Sequence, residues 1–387
     1  MKKRILIWSA SYSPVIGGVQ NAAKEFAEYF KRNNWNVNVV TNRYPINLAS
    51  NEIINDITLK RYYFFHSPLN YIKSFRFDLL VSWLIFKPIS IINIIVHVFK
   101  FKPHVINLHF PDHQLFECIV IKYLMNFKLV VSVHGNEVER MKELSNYSFR
   151  KLLYRRLFRM AYRISGCSFN LMESLLNTFP DINKDKTIVI HNGVNTLFTT
   201  NELITNKSDY FFTAARFVPK KGIDILYEIK WKDFKRNLNL AGGNKSELKK
   251  IGLVEDNDFI NVIGKLPQNE ILDYLSKSLI TIIPSKKEPY GIFVAESLCS
   301  GSPLIATNVG GIPEVIELAK SKLSNDDKTT FDNWVKIVEP DPISIKIAID
   351  QIINNNSSLK SYIKVINLVR EQFSWDARLK KIYNALI

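Results

Sequence analysis

Short β-branched runs separated by helix-length intervals dominate this sequence, and the series starts twice. The first series opens with "RILIWS" (4–9), crosses the loop "ASYSPVIGG", continues through the helical "VQNAAKEFAEYFKRN" and returns at "WNVNVVT" (35–41). A strand, a helix and a strand in that order make a βαβ unit, which favours a parallel sheet. Further strands are expected at "VINLHF" (105–110), "LVVSVHG" (129–135), "RISGCS" (163–168) and "TIVIHNG" (187–193). The polar stretch 194–209 then breaks the rhythm. After it, "YFFTAAR" (210–216), "NLNLAGG" (237–243), "FINVIGK" (259–265), "LITIIPS" (279–285) and "PLIATN" (303–308) read as strands with helices between them. The expectation is an α/β protein of two doubly wound, Rossmann-like domains facing a central cleft that holds the ligand. The domains are placed at 1–195 and 209–366, with a linker at 196–208 and a C-terminal helical segment at 367–387.

A chain of 387 residues accommodates two such domains, and 47% hydrophobic with 23% charged residues is a globular composition. Cys118, Cys167 and Cys299 are too few and too dispersed for a disulfide framework or a zinc ribbon, which points to the cytoplasm. The apolar run after the initial "MKKR" is too short for a signal peptide. The net charge of +16 favours an anionic partner: nucleic acid, an acidic membrane surface or a phosphorylated substrate. No helix-turn-helix or aromatic-interleaved basic patch supports nucleic acid. Residues 77–99 are apolar over the length of a spanning helix, but Lys87-Pro88 is expected to split them into two helices, buried or touching a membrane.

Chemistry-bearing residues fall where strands end. In "KKEPYGIFVAESLCSG", Glu288 lies on the loop leaving a strand and Glu296 lies inside the helix that Gly291 begins and Gly301 stops. Free amides at that helix start suit phosphate, and two nearby carboxylates suit sugar hydroxyls. The plainer reading is a loop glutamate and a solvated helix glutamate. Arg216, Lys220 and Lys221 follow the second series' first strand and are placed to neutralise a diphosphate. Gly17 and Gly18 precede a helix, where they let backbone amides approach phosphate or simply make a turn. His134 emerges from a strand end, as a substrate-facing group or as a core histidine. His104, His109 and His113 have poor spacing for a metal, and Asp256 and Asp258 read as a turn. Lys151, Arg155, Arg159 and Arg163, with Arg156 beside them, are expected to form a basic stripe on one helix face, suited to an anionic membrane.

With these pieces in order, the chain resembles the retaining GT-B glycosyltransferases of family 4, which include bacterial lipopolysaccharide, capsule and glycolipid transferases. The resemblance covers nearly the whole chain. It rests on "PVIGGVQNAAKEFAEYF", "VVSVHGNE", "IHNGVN", "AARFVPKKGIDIL", "LAGG", "VIGKLPQNEILDYL" and "IIPSKKEPYGIFVAESLCSGSPLIATNVGGIPEVI". It implies transfer of a sugar from a nucleotide diphosphate sugar, with UDP expected and GDP second, to a hydroxyl of a saccharide or lipid-linked saccharide. No metal and no further cofactor are implied.

By the same resemblance, Glu288 meets donor-sugar hydroxyls, Glu296 the ribose, and Arg216 and Lys221 the diphosphate. Gly17 and Gly18 face phosphate, and His134 lies near the reacting sugar. Backbone groups at Gly264, Lys265 and Leu266 hold the base, and Tyr290, Gly291 and Ile292 complete the donor site. The first domain would take the acceptor at the cytoplasmic face of the inner membrane, and the last helix would return to that domain. Alternatives are a sugar-nucleotide epimerase or phosphorylase of the same fold or, in another class, a basic nucleic-acid-binding protein.

Overall fold

The computed structural model describes residues 2–15, 17–45, 47–63, 72, 74–253 and 258–386. The chain divides into two compact units, Met1–Ile190 with Leu379–Ile387, and His191–Arg378.

The first unit is built on an eight-stranded sheet. Its strands are β1 (Arg4–Ser9), β2 (Asn36–Asn42), β3 (Asn51–Ile54), β4 (Ile57–Tyr62), β5 (Val105–His109), β6 (Lys128–Val133), β7 (Arg163–Gly166) and β8 (Thr187–Val189). Their order is β3-β4-β2-β1-β5-β6-β7-β8, and every pair is parallel except β3 with β4. Central strands buried on both faces are predominantly apolar, and β5 is buried at all five positions, Asn107 and His109 included. Chain progression reverses between β1 and β5, which makes the ends of those two strands a topological switch point.

Two strands of this sheet, β3 and β4, have no counterpart among the expected elements. Three of the four residues of β3 are exposed, so it carries little apolar signal. Its link to β4 is a two-residue turn in which Asn55 (φ 49°) and Asp56 (φ 57°) both take the left-handed conformation that primed hairpin turns require.

The second unit contains β9 (Tyr210–Ala214), β10 (Asn237–Ala241), β11 (Ile260–Gly264), β12 (Ile280–Ile283), β13 (Leu304–Thr307) and β14 (Val335–Val338). They form a parallel sheet in the order β11-β10-β9-β12-β13-β14, with its switch point between β9 and β12. Phe211, Leu238, Leu240, Ile280, Ile282 and Ile305 are fully buried in its core, each worth about 1.5–3 kcal/mol of transfer free energy.

Three expectations are corrected. The division falls at Ile190, so residues 196–208 are part of the second unit and not a free linker. Asn195 caps a short helix, Thr196–Thr200, and the Lys207 ammonium donates to the carbonyls of Ser276 (2.7 Å) and Gly301 (2.9 Å). Polar composition here reflects capping and tethering.

The C-terminal segment does not leave the second unit at 367. Helix Leu359–Arg370 stays there, with the Arg370 guanidinium donating to the Cys299 carbonyl (2.8 Å). Within the last helix, Trp375–Leu386, the chain joins the first unit from Leu379. Tyr383 then packs on the rings of Tyr29, Phe30 and Trp35.

Residues 77–99 are not split. One helix runs from Phe77 to Phe101 with Pro88 inside it. Proline's fixed φ is compatible with a helix, and the chain loses one hydrogen bond there instead of ending. The helix is long and apolar enough to cross a membrane, yet only 11% of its most apolar stretch is buried. Its tie to the neighbouring helix Leu115–Leu124 is an ion pair between the Lys87 ammonium and the buried Glu117 carboxylate.

Candidate active site

The chemistry-bearing residues follow strand ends, many of them on strands that flank a switch point. In the second unit these are β9 and β12. The loop after β9 carries Arg216 and a one-turn 3₁₀ segment, Pro219–Lys221, and the loop after β12 carries Glu288. The Lys220 carbonyl accepts from the backbone amides of Lys286 (2.9 Å) and Lys287 (3.1 Å), which stitches the two loops together. Across that stitch the Lys221 ammonium donates to the Glu288 carboxylate.

Two glycines make this close approach feasible. Gly222 takes φ 67°, and a Cβ there would overlap the Pro284 carbonyl. Gly310 takes φ 56°, and a Cβ there would overlap the Glu288 carbonyl oxygen, which also accepts from the Gly311 amide at 2.9 Å. Only glycine combines that conformation with that proximity.

Glu296 lies on the helix Ile292–Cys299, whose N-cap is Gly291 (φ 107°) and which Gly301 (φ 71°) terminates. The Glu296 carboxyl is half-buried and has no hydrogen-bond partner among the described residues. Burial pushes its pKa up to about 8. A desolvated carboxyl group without an internal partner is arranged to receive one from outside. Arg216 is exposed and likewise has no partner among the described residues. Ile292 and Phe293, half-buried, stand in the first turn of the same helix, where backbone amides have no partner within the helix and suit an anion.

Four expected donor-site residues sit differently. Tyr290 is buried (2% exposed), and its hydroxyl donates to the Asn192 carbonyl at 2.9 Å while its ring stacks on His191. That side chain is occupied by the fold, so only its backbone is available. Lys221 and Glu288 are bound to each other, and a ligand meets them as an ion pair. Lys265 extends outward to Glu247 (2.9 Å), while Gly264 (φ 86°) and Leu266 are half-buried beside it.

In the first unit, Gly17 and Gly18 begin the helix Gly18–Arg32 beyond β1, with no acidic residue in its first turn. His134 follows β6 and is half-buried, its backbone amide donating to the Glu137 carboxylate. Its Nε2 lies 3.1 Å from Nδ1 of His109, the last residue of β5, and the two rings stack with their planes 21° apart. Burial holds the His134 pKa down at about 4 and that of His109 well below the usual range, with His134 itself adding to the latter. Both imidazoles are therefore neutral at pH 7, and one ring N–H donates to the other ring.

Glu137 is pushed up to about 7 by burial, against the opposing hydrogen bond from the His134 amide. His109 and Glu137 had no place in the expected site; the only sequence signal is the position of His109 as the last residue of a switch-point strand. Asp112, held by Arg140 (2.8 Å) and Arg150, was equally invisible. The other histidines are engaged separately: His104 Nδ1 accepts from the Arg4 amide (3.0 Å), and His113 lies 3.8 Å from Asp112. Of the D-x-D turn, Asp256 lies outside the described residues.

The expected basic stripe does not form. Helix Phe149–Met160 ends before Arg163, which begins β7, so only Lys151, Arg155 and Arg159 keep the four-residue spacing on one helix. Lys151 is buried, donating to the Leu144 carbonyl (3.3 Å) beneath the Phe179 ring. Arg159 pairs with Asp181 (3.1 Å), and Arg163 donates to the Asp185 carbonyl (3.3 Å). Of the stripe, Arg156 is exposed beside the Tyr123 ring and Arg155 is half-buried.

Known proteins agree with this architecture. Residues 16–197 match the family model described as Glycosyltransferase Family 4, and residues 197–366 match the model for glycosyl transferases group 1. The chain is 26% identical over 288 residues to an uncharacterized glycosyltransferase of Methanocaldococcus jannaschii, covering 73% of this chain and 75% of that one. It is 24% identical over 208 residues to the O-antigen chain mannosyltransferase RfbU of Salmonella typhimurium, covering 50% of this chain and 58% of that protein. The Anabaena protein Alr3699/HepE, solved with UDP-glucose, superposes with a TM-score of 0.68 at 14% identity, over 99% of each chain. Two Rossmann-like units built on largely parallel sheets give the chain the GT-B fold, and the two family models make it a glycosyltransferase. Within that class the chain belongs to family 4.

Proposed function

We propose that this glycosyltransferase moves a sugar from a UDP-sugar to a hydroxyl of a saccharide or lipid-linked saccharide acceptor, with retention at the anomeric carbon, in bacterial surface-glycan synthesis. The observation that carries the reading is the carboxyl of Glu296, desolvated and without an internal partner, one helix turn from free amides and on the same unit as Arg216 and the Lys221–Glu288 pair. Glu296 accepts the ribose hydroxyls. Arg216, Lys221 and the helix amides near Gly291 take the diphosphate, and Glu288 takes donor-sugar hydroxyls with lone pairs that Lys221 leaves free.

In the transfer, the bond from the anomeric carbon to the diphosphate oxygen breaks as the acceptor oxygen approaches from the same face. The acceptor proton passes to the leaving phosphate. The developing charge is met by Arg216, Lys221 and backbone amides, so the proposal assigns no metal. Backbone groups at Gly264, Lys265 and Leu266 hold the base. Gly17, Gly18 and His134 belong to the acceptor-binding unit, the first facing phosphate and the last facing the reacting sugar.

The exposed apolar helix Phe77–Phe101, with Arg155 and Arg156, supports peripheral contact with the cytoplasmic face of an anionic membrane. The likeness to a mannosyltransferase favours GDP-mannose as the second donor to try. Transfer is measured with each donor on the native chain, Glu296→Ala and Arg216→Ala, and the product anomer is read by NMR. Native turnover with retained configuration and a loss of at least about a hundredfold in each variant are expected. Inverted product refutes the stereochemistry, and near-normal turnover by the variants refutes the site.

A further inference from the structure

A groove of about 430 Å³ lies in the first unit between β4 and the helix Phe77–Phe101, apart from the residues assigned above. Its lining includes Arg43, Lys60, Arg61, His97 and Lys100 and, among the described residues, no carboxylate. Arg61 is neutralised by Glu52, to which it donates at 2.7 Å. Among the described residues the other three cations have no acid. Arg43 donates to the Leu48 carbonyl (2.8 Å) and to the Tyr63 hydroxyl (3.2 Å), and Lys60 and Lys100 have no partner among the described residues. His97 is buried on the lining with its Nε2 unpaired, and burial and the charge of Lys60 hold its pKa down at about 4. Neutral His97 therefore leaves Lys60 and Lys100 as the charges at that end.

The remaining wall is apolar. Phe86, Ile89 and Val96 come from the helix, each 43–51% exposed, and continue into its uncovered apolar face. A cavity with uncompensated cations and an apolar wall that runs out to solvent matches an amphiphile: an anionic head with a hydrocarbon chain.

We propose that this groove binds the phosphate or diphosphate head of a lipid-linked acceptor, with Lys60, Lys100 and Arg43 on the phosphate oxygens and Phe86, Ile89 and Val96 against the chain. The inference rests on the reading of the chain as a transferase acting on a lipid-linked acceptor, and it gives that acceptor a site. Cations on a free phosphate act as point charges or forks, and the helix explains why the ligand is a lipid and not a free anion.

The test needs neither donor nor turnover. Farnesyl diphosphate, farnesol and inorganic diphosphate are titrated calorimetrically, below micelle-forming concentrations, into the native chain and into Lys60→Ala/Lys100→Ala. Both lysines are away from the core, and circular dichroism confirms the fold of the variant. Farnesyl diphosphate is expected to bind the native chain at least tenfold more tightly than either farnesol or inorganic diphosphate, and the double variant to lose at least tenfold. Equal binding of inorganic diphosphate overturns the lipid assignment. Equal binding of farnesol, unchanged binding by the variant, or no binding of farnesyl diphosphate overturns the site. UDP titrated into the same samples separates the two readings. If the variant still binds UDP while the groove fails, only this inference falls; if the groove binds and UDP does not, the donor assignment falls.

Discussion

Glu296 shows how far one residue can be read before its surroundings are known. Its place inside a helix beyond a strand was visible from Gly291 and Gly301, because glycine in a left-handed conformation marks both ends. Its ionisation was not visible, because desolvation depends on neighbours from elsewhere in the sequence. A carboxyl with a pKa of about 8 is mostly protonated at pH 7. If the ionised form is the one that takes both ribose hydroxyls, nucleotide affinity rises with pH by at most about tenfold per unit below 8 and levels off above it. Glu296→Gln removes that slope, and calorimetry from pH 6 to pH 9 measures it. A native affinity that falls over the same range contradicts the assignment. Other residues went unread for the same reason. Tyr290 looked like a ligand contact until the Asn192 carbonyl accepted its hydroxyl, and Lys221 and Glu288 gave no sequence sign that they pair.

At the scale of elements, apolar strands were legible because buried parallel strands are predominantly apolar, as in β5, β12 and β13. The hairpin of β3 and β4 was not, since β3 is an exposed edge strand with a polar sequence. The basic stripe was misread because regular spacing in the sequence was extended through a helix end at Met160. Helix Phe77–Phe101 was misread in the opposite sense: Pro88 was given the power to end a helix that its flanks sustain.

The uncovered face of that helix has a testable consequence. Leu84, Ile85 and Ile92 are 53–60% exposed, so replacing all three with Gln changes thermal stability little, as for other surface substitutions. Sedimentation with anionic vesicles is expected to fall at least fivefold, since roughly 1.5–3 kcal/mol of apolar transfer is forfeited per fully inserted side chain. Unchanged sedimentation contradicts a membrane role for this face, and a large drop in melting temperature shows that the face is packed in solution.

At the scale of the molecule, the sequence carried the repeated design: two α/β units, each with chemistry-bearing residues after strand ends, some of them on strands that flank a switch point. Only long-range pairing reveals that those strands are β1 and β5 in the first unit and β9 and β12 in the second. The chain path also passes into the second unit earlier than its polar stretch suggested, and returns within its last helix.

The central claim is that His191–Arg378 holds a nucleotide diphosphate through Glu296 and Arg216. Calorimetric titration of the full chain with UDP and with GDP, repeated on Glu296→Ala and Arg216→Ala, tests it most directly. One saturable site for one of the two nucleotides, weakened at least tenfold (about 1.4 kcal/mol) in each variant, is the predicted result. Binding that neither substitution changes, or no binding of either nucleotide, would contradict it.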